Sequence, residues 1–217
     1  MQSVCTFFGY PKRQNILQES IKNIVPESKS SKLKQFCATR LVERHDAVLI
    51  FHKLQPAIIN ALYEIYKLRD IDSSTTANQL NTSIHQLKFQ ISLSILVKIF
   101  SLSAPLSKFL QSENLDLETV LNFACQTQYA VQNIRDNVDN EFHSIFQETK
   151  DTCNELNINI CVPRITGKQS MRCNVATDCP ENYYRVSLFI PFIDNFLDQM
   201  KNQFMEHQTI LKSFICL

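Results

Sequence analysis

The chain has 217 residues, enough for one large domain or two small ones with a substantial apolar core. It contains only two glycines, and tight turns between strands depend on glycine, so this scarcity argues against a sheet-rich fold and for long helices. The formal net charge of +1 demands no anionic partner, but residues 1–53 hold nine basic and four acidic residues, whereas residues 113–155 hold nine acidic and two basic ones.

The cysteines and the N-terminus indicate a reducing, intracellular location, nuclear or cytoplasmic. None of the eight cysteines forms a C-x-x-C pair, and the first residues contain no apolar core long enough for a signal peptide. The most apolar run, 89–102, is interrupted by Lys98 and several serines. We therefore expect a buried helix that is too short to cross a bilayer, and no membrane partner.

The first half of the chain predicts helices joined by polar linkers. Pro11 suits the first turn of a helix that reaches about Val25, and residues 26–32 form a polar, basic linker. An amphipathic pattern over 39–69 predicts a helical region with Thr39 as N-cap, which Pro56 kinks or splits. Residues 70–76 predict a loop, and the next helix should extend from about Thr75 to residue 102.

The second half predicts further helices and one long irregular stretch. Pro105 should start a short helix that ends near Gln111, and Asp116 should cap a long acidic helix. Periodicity lapses over about 157–179, the longest irregular segment. Pro180 restarts a helix, Pro191 interrupts it, and a final helix continues toward residue 207. The predicted fold class is all-α, an elongated bundle of long helices.

Three segments resemble one known family, the hAT-type transposases and the cellular proteins derived from them. The first is Tyr10-Pro-Lys-Arg-Gln14, and the second is Cys37-Ala-Thr-Arg-Leu-Val-Glu-Arg-His-Asp-Ala47. The third comprises Val162-Pro-Arg-Ile-Thr-Gly-Lys-Gln169, Arg172, Asn174, Pro180-Glu-Asn-Tyr-Tyr-Arg185 and Phe189-Ile-Pro-Phe-Ile-Asp194. The three matches occur in the family's order and cover roughly half of the chain.

The resemblance implies the large helical insertion of a transposase and not its catalytic centre. In the family, three carboxylates on an RNase H-like core hold two metal ions, which activate the attacking oxygen and stabilise the leaving one. Two of these acids precede the second segment and the third follows the insertion, so no acid of this chain matches a catalytic position. We expect no enzyme activity, no cofactor and at most a remnant of the RNase H-like core. The expected domains are 1–35, a helix with a basic linker, and 36–217, the insertion-type domain.

Leu41 departs from the family pattern, which has a tryptophan there. An aromatic ring at that position can stack on a displaced base, whereas leucine cannot, and the chain contains no tryptophan. Arg40 remains as a residue for phosphate contact. The alternatives are ordinary core packing for Leu41 and surface or ion-paired arginines for Arg40 and Arg44.

Basic residues are the candidate nucleic-acid contacts, because neutralising phosphates provides most of the affinity in such complexes. Lys29, Lys32 and Lys34 add to them in the linker, for which a merely solvated basic segment is the alternative. The predicted contacts are Lys12, Arg13, Arg40, Arg44, Arg164, Lys168 and Arg172.

The remaining clusters of cysteine, histidine and acidic residues indicate neither a metal site nor a catalytic site. Cys161, Cys173 and Cys179, with His143 or His207, fit none of the recurrent zinc spacings, so free cysteines are favoured over a metal site. The acidic residues Asp136, Asp139 and Glu141 indicate a solvated helix surface. No Ser-His-Asp, Cys-His or phosphate-loop pattern occurs.

Two functions of different classes remain open. The first is a truncated, non-catalytic protein derived from a hAT transposase that binds DNA or a transposase-related partner. Transposase-derived relatives without transposition include the zinc-finger MYM-type proteins and a group of repressors of a protein-kinase inhibitor. The second is a helical module that binds proteins through the acidic helix 116–155 and the apolar C-terminal helix. A nuclease completed by carboxylates from a separate chain is a third hypothesis.

Overall fold

The computed structural model describes residues 1–35, 41–68, 70–112, 116–163 and 177–205. Every regular element in these ranges is helical, which confirms the all-α fold class. The helices are α1 (Gln2–Phe7), α2 (Pro11–Ile24), α3 (Leu41–Tyr66), α4 (Ile71–Ile84), α5 (Leu87–Phe109), α6 (Leu117–Asp136), α7 (Val138–Glu155), α8 (Pro180–Tyr184) and α9 (Ile190–Met200). π-Helical turns follow α8 and α9 at Arg185–Phe189 and Lys201–Met205.

The chain forms two compact units, Met1–Leu93 and Ser94–Leu217. The boundary falls within α5. The sequence motifs suggest a different division, at residue 35. That boundary follows the segments that resemble the transposase family and not the packing of the chain, so it stays a prediction.

Unit 1 is built around α3, which packs against α2 and α4. The fully buried side chains of this unit include Leu17 of α2, Ile84 of α4, and Phe51, Leu54 and Ile58 of α3. Burying each such side chain contributes about 1.5–3 kcal/mol. The core of unit 1 therefore depends on one long apolar face of α3.

Helix α3 continues through Pro56, so the predicted split is wrong. A proline inside a helix costs about 3 kcal/mol, because it removes a hydrogen bond and crowds the preceding turn. Pro56 lies on the exposed side, whereas its neighbours Gln55 and Ala57 are buried. Burial along the opposite face outweighs that cost and keeps the helix whole.

One predicted helix is two, because α4 ends at Ile84 and α5 begins at Leu87. Buried glutamines stabilise the break: the Gln90 side-chain amide donates to the Ile84 carbonyl at 2.7 Å, and the Gln55 amide donates to the Gln90 side-chain carbonyl at 2.9 Å. The carbonyl at the end of α4 is thus satisfied away from water, as a buried helix terminus requires.

Several predicted boundaries near these helices are also wrong. Helix α4 begins at Ile71, inside the predicted loop 70–76. Pro105 starts no helix of its own but lies inside α5, which is 23 residues long. Among the described helices α5 alone is long and apolar enough to cross a membrane, a property it shares with core helices in general. The prediction that this segment is too short to cross a bilayer is therefore wrong, because α5 continues beyond the apolar run to Phe109. Its fully buried Ile91, Ile95 and Ile99 confirm the predicted buried helix.

In unit 2, the predicted helix after Asp116 is also divided. Asp116 is the N-cap, as predicted, and its carboxylate accepts from the backbone N–H groups of Glu118 and Thr119. The helix ends at Asn137, whose side-chain amide donates to the Asn133 carbonyl at 3.0 Å, and α7 starts at the next residue. Asparagine commonly ends a helix in this way, because its side chain competes for backbone hydrogen bonds.

Ion pairs and aromatic contacts hold the last helices to α6 and α7. Arg135 pairs with Asp194 at 2.5 Å, and Arg185 pairs with Asp139. Phe189, fully buried in the first π-helical turn, lies with its ring centroid 5.1 Å from that of Phe142. Pro180 starts α8 as predicted. Pro191 does not interrupt the helical course but lies in the first turn of α9.

Candidate nucleic-acid interface

The N-terminus of α2 presents positive charge from both backbone and side chains. Tyr10 precedes the helix in an extended conformation, with φ −83° and ψ 135°, and Pro11 occupies its first turn. No acidic residue lies in that turn, whereas Lys12 and Arg13 do. The unsatisfied N–H groups at a helix N-terminus favour anions, so the lysine and the helix dipole act in the same direction.

Arg13 is held in place by three neighbours. Its guanidinium carbon lies 4.2 Å from the ring centroid of Phe7 and 4.9 Å from that of Tyr10. A guanidinium N–H group donates to the Ser73 hydroxyl at 2.9 Å, and that hydroxyl donates to the Asp70 carboxylate at 2.5 Å. Arg13 therefore links the start of α2 to the start of α4, and cation–π contact fixes the Tyr10 ring beside it.

The hydrogen bond from Ser73 holds the pKa of Asp70 below its ordinary value, and the positive charge of Arg13 adds to this effect. Asp70 is consequently a carboxylate at neutral pH, and it offsets part of the charge of Arg13. Lys12 has no ion pair among the described residues and is exposed. Of these two neighbours, Lys12 is the one with its charge directed to solvent.

An aromatic cleft opens on one side of the first turn of α2. It has a volume of about 620 Å³, and Pro11, Ile16, Ile65 and Leu68 form apolar walls. Its remaining lining is Tyr10, Lys12, Arg13, Asp70 and Ser73. Tyr10 is 62% exposed, so its ring is open to solvent. The cleft thus combines an open ring, apolar walls and a charged rim.

A lysine cleft of about 370 Å³ lies on the other side of the same turn. Its polar lining comes from Gln14, Lys32, Lys34 and Gln35. Lys34 pairs with Asp46 at 2.6 Å, while Lys32 makes no ion pair within the described ranges. Because Arg13 and Gln14 are consecutive residues, the two clefts flank one helical turn.

Gly9 allows the chain to pass close to the lysine cleft. A Cβ atom at this position would lie 3.1 Å from the Thr6 carbonyl oxygen and 3.5 Å from the Gln35 amide nitrogen. The first distance is tighter than ordinary van der Waals contact, so a larger residue would displace the end of α1 by a few tenths of an ångström.

The seven predicted contacts have different positions. Lys12 and Arg13 lie together at the start of α2, and Arg44 is half-buried on α3. The other four, Arg40, Arg164, Lys168 and Arg172, lie outside the described residues. The structure also places Lys32 and Lys34 next to the start of α2, although about twenty residues separate them in sequence.

Sequence reasoning missed Tyr10, Asp70 and Ser73. Tyr10 was part of a recognised segment, but only its basic neighbours were considered. Asp70 and Ser73 are about sixty residues away, and no periodicity connects them with α2. Only the packing of both α2 and α4 on α3 brings these residues close to the start of α2.

Among the described residues, the candidate zinc ligands do not come together in one site. Cys161 and Cys179 are exposed free thiols, and the His143 ring lies 2.9 Å from the Glu181 carboxylate. Cys173 and His207 lie outside the described residues. No three His, Cys, Asp or Glu side chains within the described ranges are arranged to hold a metal ion.

Asp136, at the end of α6, and Asp139, at the start of α7, are exposed as predicted for a solvated helix surface, and Glu141 is half-buried. Asp139 pairs with Arg185, and Glu141 pairs with Lys98 at 3.2 Å. Asp136 accepts a hydrogen bond from the Gln132 amide. All three contacts lie at the surface, where such pairs contribute little to stability.

Comparison with known proteins finds a similarity, at low identity, to two repressors. The whole chain is 22% identical, over 233 residues, to the "52 kDa repressor of the inhibitor of the protein kinase" of Mus musculus. It is 20% identical, over 227 residues, to the protein of the same name from Homo sapiens. The chain spans 29% of the length of each relative. No protein-family profile matches the chain, and no solved structure does. Both relatives are named as repressors and not as enzymes.

Proposed function

We propose that this chain is a non-catalytic, transposase-derived segment that binds nucleic acid through unit 1 and serves a regulatory role. One observation carries the proposal: exposed Lys12 and Lys32, neither in an ion pair within the described ranges, flank a helix N-terminus that has no acidic residue in its first turn. Phosphate groups are the ligands that such a surface favours.

The charges permit a quantitative expectation. Lys12, Lys29 and Lys32 are exposed and make no ion pair among the described residues. If each neutralises one phosphate of a duplex, the logarithm of affinity falls with the logarithm of salt at a slope of about −2.7. Affinity would then drop about 40-fold between 50 and 200 mM salt.

The family resemblance adds further proposed contacts. Arg40, Arg44, Arg164, Lys168 and Arg172 lie in the segments that resemble hAT transposases, and we propose them as additional phosphate contacts. The names of the two relatives describe repression, which supports a regulatory role. The family's catalytic carboxylates have no counterpart here, so binding is the proposed activity.

An intracellular, reducing compartment, nuclear or cytoplasmic, suits this function. Cys5, Cys125, Cys153, Cys161 and Cys179 are free thiols in the structure. Free thiols persist in reducing compartments, whereas secreted chains of this cysteine content usually form disulfides.

Binding to a protein, including a transposase-related one, is the second candidate function. Tyr129 on α6 is 79% exposed, and exposed aromatic residues are enriched at protein interfaces. The acidic residues of α7 favour this function less, because Asp139 and Glu141 already pair within unit 2.

The test is a salt-titrated binding assay with a fluorescent 20-base-pair duplex of mixed sequence. We expect the triple variant Lys12→Gln/Lys29→Gln/Lys32→Gln to bind more weakly and to reduce the steepness of the salt slope by about 2.7. The matched control is Lys22→Gln/Lys53→Gln/Lys88→Gln, which removes the same charge from other exposed positions of unit 1. Equal losses in both variants, or binding that does not respond to salt, would contradict the proposal and favour a protein partner.

A further inference from the structure

We infer that the aromatic cleft binds an unpaired nucleobase, so that the chain prefers single-stranded over duplex nucleic acid. This inference rests on the proposed function and names the form of nucleic acid that the surface takes. It begins with Tyr10, whose ring is 62% exposed at the mouth of the cleft. Bases of any sequence stack on such rings, which is how many proteins hold single strands.

The ring is fixed before any ligand arrives. Arg13 lies over Tyr10, while Phe7, Ser73 and, through Ser73, Asp70 hold Arg13. Phe7 is buried and lies edge-on against Phe8 at a centroid distance of 5.4 Å. A ring fixed in this way loses little conformational freedom when a base stacks on it.

The shape of the cleft fits a flat, largely apolar group. Ile16, Ile65 and Leu68 line it beside the tyrosine, and Leu68 is half exposed. A volume of about 620 Å³ lies within the range of small-molecule sites. The apolar walls and the aromatic ring together provide a stacking site for a base.

The distribution of charge sets the orientation of a bound nucleotide. Lys12 and the N-terminus of α2 attract a phosphate on one side. The Asp70 carboxylate repels phosphate but accepts hydrogen bonds from N–H groups on a base edge, such as the N3–H of thymine. The base therefore enters beside Asp70, and its phosphate stays at Lys12.

A base in a duplex cannot occupy the cleft, because it is stacked on both faces and paired along its Watson–Crick edge. Duplex binding would use only the lysines, whereas a single strand would use both the lysines and the cleft. The two forms of nucleic acid should therefore respond differently when Tyr10 is changed.

The experiment uses the full chain and two fluorescent probes, a 12-nucleotide single strand of thymidine and the duplex described above. We expect Tyr10→Leu to weaken single-strand binding about ten-fold and to change duplex binding less than two-fold. Tyr10→Phe keeps the ring and should retain the affinity. Tyr129→Leu, at an exposed tyrosine of unit 2, is the matched control and should have no effect.

A third probe separates stacking from any disturbance of folding. A 12-mer with abasic sites keeps the phosphates but lacks bases, so the unaltered protein should bind it about ten-fold more weakly than the thymidine strand. Tyr10→Leu should then bind the abasic and thymidine strands equally. If the unaltered protein binds both strands equally, the inference is wrong.

The outcomes for the two proposals differ. If the triple lysine variant weakens both probes while Tyr10→Leu leaves their ratio unchanged, the proposed function stands and the unpaired-base site does not. If the triple lysine variant changes neither probe, the proposed function fails. If neither probe binds the unaltered protein, both proposals are wrong, and the cleft is better explained as a site for an apolar peptide side chain.

Discussion

Replacing Gln90 with leucine tests whether the buried glutamine pair stabilises the break between α4 and α5. Gln90 is 2% exposed and Gln55 is 5% exposed, so water cannot readily replace their hydrogen bonds. In Gln90→Leu, the Ile84 carbonyl and the Gln55 amide both lose a partner while the volume is nearly kept. An unsatisfied buried polar group costs about 1–3 kcal/mol. We expect a loss of about 2–4 kcal/mol in the free energy of unfolding.

The double variant Gln55→Leu/Gln90→Leu makes the test sharper. It removes the Gln55 amide together with its acceptor on Gln90, so only the Ile84 carbonyl is left without a hydrogen-bond partner. The double variant should therefore be more stable than Gln90→Leu by about 1 kcal/mol, because replacing both partners by apolar groups costs less than replacing one.

The assay is urea unfolding followed by far-ultraviolet circular dichroism at 25 °C. Gln79→Leu, at an exposed position of α4, is the control and should lie within about 0.5 kcal/mol of the unaltered chain. A Gln90→Leu variant as stable as this control would refute the role given to the glutamine pair. A double variant less stable than either single variant would refute the explanation through a stranded amide.

Three further predictions concern buried groups. Burial lowers the pKa of His45 below its ordinary 6.5, so protonation favours the unfolded state. The free energy of unfolding should therefore fall as the pH drops through 6.5. In His45→Gln, the melting temperature should fall less between pH 7.5 and pH 5.5 than in the unaltered chain. Burial raises the pKa of Tyr184 from 10 to about 12, so above pH 10 the tyrosine loses its proton more readily in the unfolded chain. The free energy of unfolding should therefore fall by about 3 kcal/mol as the pH rises from 10 to 12. Urea unfolding at pH 9 and pH 11 should show a smaller fall for Tyr184→Phe. Phe189→Ala should cost about 3–5 kcal/mol in urea unfolding, because it empties a fully buried site against Phe142, and a loss below 1 kcal/mol would contradict this packing.

Local signals predicted three of the helix starts. Pro11, Asp116 and Pro180 each mark a helix N-terminus in the structure, since a proline or a carboxylate meets the needs of the first turn without help from distant residues. The scarcity of glycine also indicated the all-α class. The first signal depends on residues that are adjacent in sequence, and the second is a property of the whole composition.

Helix breaks were predicted poorly because distant residues determine them. The end of α4 depends on Gln55 and Gln90, and the unbroken course of α3 at Pro56 depends on burial along its whole opposite face. Neither effect shows in local propensity. The break at Asn137 left a local signal, an asparagine within the acidic pattern, but the apolar period continues across it.

The sequence predicts only some of the residues of the candidate interface. Lys12 and Arg13 are candidates by composition, yet composition cannot show that Arg13 is anchored by Ser73 while Lys12 faces solvent. The aromatic cleft combines residues near positions 10 and 70, which α2 and α4 bring together. A cleft of this kind becomes visible only when the packing of the helices is known.

The π-helical turn at Arg185–Phe189 makes the length of this segment as important as its composition. A wider turn holds an additional residue, and each residue of an α-helix rotates the following side chains by about 100°. Deleting one residue here would rotate α9 out of phase, so that Ile193 and Asp194 no longer face their partners. We expect such a deletion to lower the melting temperature more than Val186→Ala, an exposed substitution in the same turn, and an equal effect would show that the phase of α9 is unimportant.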